Sequence, residues 1–70
     1  MAKRSAEEIK FRCKSILNDE QVVRLVKESS TPSAAFDMIL EETGDQEKAK
    51  SGRWLAILRR DYPDVFSALA

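Results

Sequence analysis

Apolar residues recur at helical spacing along most of the chain, and no segment alternates between apolar and polar residues over the length of a strand. The pattern predicts helices at about residues 5–17, 19–29, 32–43, 46–60 and 63–69. We therefore expect an all-α fold, a compact bundle of four to five short helices in which residues 1–70 form a single helical domain.

Polar capping residues and helix-stopping residues predict where the helices begin and end. The side chains of Ser5, Asn18 and Thr31 are each placed to accept a backbone N–H from the first turn of the helix that follows. Gly44 suits the left-handed backbone that often ends a helix, and Pro63 ends the helix before it. These signals make the third helix, at residues 32–43, the most sharply bounded.

The fourth helix is expected to run from its cap, Asp45, through Gly52 without a break, because one internal glycine costs about 1 kcal/mol relative to alanine. Its buried face is predicted to consist of Ser51, Trp54, Leu55, Leu58 and Tyr62. On the opposite face we expect Arg53 and Arg60, exposed beside three residues that have almost no side chain, Ala49, Gly52 and Ala56. Such a surface allows close approach of a rigid object, either a DNA duplex or another helix.

Charge is balanced in total but not along the chain. Twelve basic and twelve acidic residues give a net charge of zero. By segment, the charge is +3 over residues 1–27, −6 over residues 28–47 and +5 over residues 48–60. The basic segment is a candidate contact surface for a partner. The other interpretation is that solvated helix faces of opposite charge neutralise each other across the fold, at about 0–1 kcal/mol for each exposed pair.

The residue types that support catalysis are scarce. The chain has no histidine, one cysteine and no glycine-rich phosphate loop. Cys13 falls on the apolar stripe of the first helix, where we expect an unreactive buried thiol. We therefore predict no enzyme activity, no catalytic residue, no metal site and no cofactor. The single cysteine and the charged sequence after Met1 favour the cytoplasm, without a secretory leader, and no apolar stretch is long enough to cross a membrane.

Three short stretches near the end of the chain carry a resemblance to a known family. They are Ser51-Gly52-Arg53-Trp54-Leu55, Pro63-Asp64-Val65-Phe66 and the small-residue tail at 67–70. Together they resemble the ending of the helix-turn-helix domains of phage terminase small subunits, with residues 19–29 and 32–44 in the places of that family's first two helices. The gap before Pro63 is longer than is usual in that family, and its turn residues differ.

The resemblance implies binding of duplex DNA through the last helices, with Lys50, Ser51, Arg53 and Arg60 facing the DNA. A short-turn helix-turn-helix centred on Gly44 does not fit the sequence, because polar residues fall at positions that should be apolar, whereas a variant with a longer turn does fit. The first hypothesis is therefore a phage-like DNA-binding domain that acts as a homo-oligomer. Its contact residues are Lys48, Lys50, Ser51, Arg53, Arg59 and Arg60.

The alternative hypothesis is a protein-interaction module, a phage or plasmid product that docks on a host protein and inhibits or recruits it. Phe11 points away from the apolar stripe of the first helix and is flanked by cationic residues, as an anchor with a charged rim would be. The contact residues for this alternative are Phe11, Ala49, Gly52, Arg53, Ala56 and Arg60. The competing interpretation of Phe11 is that the last helix or the N-terminus covers it.

Overall fold

Five α-helices follow one another along the chain in a computed structural model that describes residues 4–69. They are α1 (Ala6–Cys13), α2 (Glu20–Glu28), α3 (Pro32–Thr43), α4 (Gln46–Asp61) and α5 (Pro63–Leu69), with a 3₁₀ turn at Lys14–Ile16 between α1 and α2. The predicted all-α bundle is confirmed, and residues 4–69 contain no strand. None of the helices in this part of the chain has the length and apolarity needed to cross a membrane.

Local capping explains the boundaries that the sequence predicted well. The Thr31 hydroxyl oxygen accepts the Ala34 N–H at 3.0 Å, and Gly44 ends α3 with a φ of 67°. An Asp45 carboxylate oxygen accepts the N–H groups of Glu47 and Lys48 at 2.9 and 3.1 Å. Only Gly44 and Asp45 lie between α3 and α4, so a longer helix-turn-helix turn is not found at this junction.

The start of α2 differs from the prediction by one residue. Asp19, not Asn18, is the N-cap, and its carboxylate accepts the Val22 N–H at 3.2 Å. Both residue types are good caps, so the local sequence does not decide between them. Lys48 of α4 lies 3.1 Å from the Asp19 carboxylate and favours the acid at this position. The 3₁₀ turn leads the chain from α1 toward Asp19, so α1 ends at Cys13 instead of the predicted residue 17.

Helix α4 lies at the centre of the bundle and packs against all four other helices, most extensively against α3. Leu55 and Leu58 of α4 are fully buried, in contact with a core that includes Ile9 of α1 and Ile39 of α3. Packing against so many neighbours leaves only a narrow side of α4 exposed to solvent.

The strip of small residues on α4 is buried, contrary to the prediction that it faces solvent. Ala49 is 0% exposed, Ala56 is 6% exposed, and Gly52 is buried with them. A Cβ placed on Gly52 would overlap the Cδ1 atom of Ile39, which shows how closely α3 lies against this strip. Small residues do allow tight helix contact here, but the partner is α3 of the same chain. Ala49 and Gly52 are therefore not available to DNA or to another protein, and Ala56 exposes only a small part of its surface.

Replacing Gly52 with alanine is expected to lower the free energy of unfolding. Overpacking of a tight core costs about 1–3 kcal/mol, against a gain of up to about 1 kcal/mol from helix propensity. Ile39 is itself fully buried, so its Cδ1 can move away from the new methyl group only by a rearrangement within the core. Urea denaturation of the wild type and Gly52→Ala measures the difference.

The Ile39→Val variant is the matched partner for this substitution, because it removes the Cδ1 atom that the new methyl group would meet. Gly52→Ala is expected to lower the free energy of unfolding less in the Ile39→Val background than in the wild type. A double-mutant cycle then gives a favourable coupling energy between the two substitutions. An equal loss of unfolding free energy in both backgrounds would contradict the close contact between residue 52 and the Cδ1 atom of Ile39.

Candidate interaction surface

The basic residues of α4 were predicted to act together, and the structure separates them. Lys50 and Arg53 lie three residues apart on the exposed side of the helix. Lys50 is 4.0 Å from Glu47, at the limit of an ion pair. Arg53 makes no ion pair or hydrogen bond with any other residue between 4 and 69. These are the two predicted cations that stay open to solvent with weak or no internal partners.

Lys48 and Ser51 turn toward neighbouring elements of the bundle instead. Lys48 pairs with Asp19 at the start of α2, and Ser51 Oγ lies 3.3 Å from Ser15 Oγ in the 3₁₀ turn. The Val22 N–H and then Lys48 hold the pKa of Asp19 below its usual value. Lys48 therefore links α4 to α2, and its charge is already matched within the fold.

Arg59 stabilises the end of α2. Its Nη1 donates to the carbonyl oxygens of Ser29 at 3.1 Å and Val26 at 3.5 Å. These carbonyls belong to the last turn of a helix, where backbone acceptors lack intrahelical partners. The guanidinium also lies 5.9 Å from the centroid of the Phe66 ring. Arg59 thus holds α2, α4 and α5 together.

Arg60 is paired with the residue that follows it. Its Nε and Nη2 donate to the two carboxylate oxygens of Asp61 at 2.9 and 3.3 Å. This hydrogen bonding raises the pKa of Arg60. Arg60 is exposed as predicted, but two of its five N–H donors are used and its charge is compensated by Asp61.

A stack of two arginines on Trp54 was not predicted from the sequence. The guanidinium carbons of Arg4 and Arg12 lie 5.2 and 4.9 Å from the centroid of the indole ring, within the range of a cation–π contact. Glu8 pairs with both arginines, with a 3.7 Å separation from Arg12, and its pKa is lowered, chiefly by the Arg4 hydrogen bond. The spacing of Arg4, Glu8 and Arg12 at four-residue intervals was the available signal.

The N-terminal end of this stack is also tied to the end of α4. Tyr62 donates its hydroxyl proton to the backbone carbonyl of Arg4 at 2.7 Å. Helix α1 therefore runs antiparallel to α4, with Arg4 near Tyr62 and Ser15 near Ser51. One side of α1 packs on α4, and its opposite side faces solvent.

Phe11 stands on that outward side of α1. It is 69% exposed, and it is the one large apolar side chain exposed among the described residues. Neither α5 nor the described N-terminal residues cover it. Lys14 Nζ lies 4.9 Å from its ring centroid, and Lys10 and Arg12 are its chain neighbours. We call Lys10, Phe11, Arg12 and Lys14 the Phe11 face.

The reactive groups within the described residues are few. Cys13 is fully buried, and burial raises the pKa of its thiol, which keeps it in the weakly nucleophilic protonated form. No group of three or more cysteine, aspartate or glutamate residues within residues 4–69 is arranged to hold a metal ion. An exposed aromatic ring and exposed cations are two features that this part of the chain offers to a partner.

Comparison with protein-family models, curated proteins and solved structures found no match to this chain. The resemblance to terminase small subunits therefore stays a prediction from the residues that carry it.

Arg59 and Arg53 form a matched pair for testing the structural assignment. Arg59→Gln is expected to lower the free energy of unfolding by about 1–2 kcal/mol, because the carbonyls at the end of α2 lose a charged donor that is partly screened by solvent. Arg53→Gln is expected to change it by less than about 0.5 kcal/mol, as an exposed residue without partners. Thermal and urea denaturation of both variants measure this. If Arg59→Gln leaves the free energy of unfolding unchanged, the assignment of Arg59 as a stabiliser of α2 is wrong.

Proposed function

We propose that this protein is an interaction module that docks on another protein through the Phe11 face. The observation that carries the proposal is the 69% exposure of Phe11, which α5 and the described N-terminal residues leave uncovered. A phenylalanine ring that enters a partner's pocket buries about 150–250 Å² and often dominates the binding energy. Single exposed apolar residues are common on protein surfaces, so the surroundings of the ring have to support the proposal as well.

The surroundings of Phe11 favour a partner of defined chemistry. Of the three cations of the Phe11 face, Lys10 pairs with Glu7, and Arg12 pairs with Glu8 and stacks on Trp54. Lys14 has no ion pair within residues 4–69 and stands over the ring. The complementary surface is an apolar pocket bordered by carboxylates, because such a rim matches the excess positive charge. The partner we propose is therefore a protein with an acidic border around an apolar pocket.

The second half of the predicted partner surface does not support this function. Ala49, Gly52 and Ala56 are buried, and Arg60 is paired with Asp61. The docking surface therefore lies on α1, with Arg12 linking it to the Trp54 stack.

Affinity capture with the wild type and two matched variants tests the proposal. Wild type, Phe11→Ser and Gln21→Ser are immobilised and exposed to lysate of the organism that encodes the protein, and Gln21 serves as the control because it is exposed on α2. We expect wild type and Gln21→Ser to retain the same protein in near-stoichiometric amount. We expect Phe11→Ser to lose at least about tenfold in affinity for it, as a buried anchor does.

The purified partner and the same variants then give dissociation constants in solution. The melting temperature of Phe11→Ser is expected to match that of the wild type, since its side chain is mainly in solvent. A set of retained proteins that is identical for wild type and Phe11→Ser would contradict the proposal.

Duplex DNA is the second candidate partner, and the exposure of Lys50 and Arg53 on one side of an unbroken helix favours it. Fluorescence polarisation of a labelled duplex at about 50 mM salt separates the two candidates. The DNA function predicts binding that weakens with salt. In the Lys50→Gln/Arg53→Gln variant, the slope of the logarithm of the binding constant against the logarithm of the salt concentration is expected to be smaller by about 2. Docking through the Phe11 face alone predicts no binding to the duplex.

A further inference from the structure

A surface cavity of about 380 Å³ lies where the turn between α2 and α3 meets the end of α4. Two arginines, Arg59 and Arg60, line it together with the hydroxyl residues Ser30 and Thr31 of the turn. No carboxylate residue is among the described residues that form its wall. The cavity is on a different part of the molecule from the Phe11 face, and nothing in the proposed docking function uses it.

The hydrogen-bond donors at this cavity exceed the acceptors that the protein provides. Arg59 uses only Nη1, for the carbonyls at the end of α2, so its Nε and Nη2 have no acceptor within residues 4–69. Arg60 uses Nε and Nη2 for Asp61 and keeps Nη1 free. Ser30 makes no hydrogen bond in the described part of the chain, and the Thr31 hydroxyl accepts one bond while its proton remains available.

Arg59 is held in place before any ligand arrives. Its two bonds to carbonyls orient the guanidinium, so binding an anion does not require that side chain to lose all of its rotational freedom. Ala56 forms part of the wall with a small apolar side chain, and Pro63 contributes a rigid apolar ring. The cavity thus combines Arg59, whose side chain is already oriented, with a second arginine, hydroxyl donors and a small apolar surface.

We propose that this cavity binds a phosphate monoester. Guanidinium groups match the oxygen geometry of phosphate, and hydroxyl donors complete its hydrogen-bond shell. Asp61 pairs with Arg60, whereas Arg59 bonds only to backbone carbonyls and keeps its positive charge for the anion. The volume is within the range of small-molecule sites and exceeds the space that the phosphate group needs alone. The apolar wall then receives the group to which the phosphate is attached.

NMR titration of the full chain tests the proposal. The ligands are inorganic phosphate, phenyl phosphate and an acetylated, amidated phosphoserine, at about pH 7.5, above the second pKa of about 6 of a phosphate monoester. Sodium chloride at equal ionic strength is the blank. We expect saturable shifts centred on Ser30, Thr31, Arg59 and Arg60, including the side-chain Nε signals of the two arginines.

Arg60→Gln and Arg53→Gln are the matched variants, because both residues are exposed on α4 and only Arg60 lines the cavity. Arg60→Gln is expected to weaken binding about tenfold or more, and Arg53→Gln to leave it unchanged. Arg59 is left intact because it stabilises α2. Circular dichroism confirms that both variants fold before they are titrated.

The three ligands also distinguish the source of the phosphate. If phosphoserine binds at least about tenfold more tightly than inorganic phosphate, the cavity recognises phosphorylated protein segments; if phenyl phosphate equals phosphoserine, it recognises small phosphorylated compounds. Either result supports the proposal. Shifts that do not saturate, that match the chloride blank, or that weaken equally in Arg53→Gln and Arg60→Gln would overturn it.

Discussion

The close contact between α3 and α4 at Gly52 is the constraint on which the rest of the structure depends. Ile39 of α3 occupies the space that any side chain at residue 52 would need, and Ala49 and Ala56 on the same strip of α4 are buried as well. With α3 seated there, and α1, α2 and α5 on its other sides, α4 becomes the central helix. This arrangement leaves a single narrow side of α4 in solvent and decides which of its cations remain free.

The basic segment at residues 48–60 shows why a run of charge is not by itself a binding surface. Lys48 is matched by Asp19, Arg59 by backbone carbonyls and Arg60 by Asp61, because the helix turns each of them toward a different neighbour. Lys50 and Arg53 alone of the segment's five cations stay on the open side with weak or no internal partners. Neutralisation by opposite charge across the fold therefore describes Lys48 alone in this segment, within the described residues, and the expected pairing of Arg53 and Arg60 with the acids of residues 28–47 is not found there.

The two surfaces proposed for ligands arise from opposite sides of this same packing. On one side, α1 lies antiparallel to α4 with Arg4 and Arg12 on Trp54, which turns Phe11 and its cationic neighbours outward. On the other, the end of α4 meets the α2–α3 turn, and the arginine that stabilises α2 also forms the wall of a cavity. Each surface therefore uses residues whose first role is structural. Variants that remove Phe11 or Arg60 separate the two, since both side chains are largely in solvent.

The local sequence by itself determined the helices and most of their ends. Thr31 with Pro32, Gly44, Asp45 and Pro63 act on backbone groups within a few residues of themselves, so the bounds of α3, α4 and α5 were predictable. The tertiary structure decided what periodicity leaves open: the choice of Asp19 over Asn18, the burial of Gly52 and the exposure of Phe11. Periodicity specifies which residues share a face of a helix, but not which neighbour covers that face, because this depends on contacts between residues far apart in the chain.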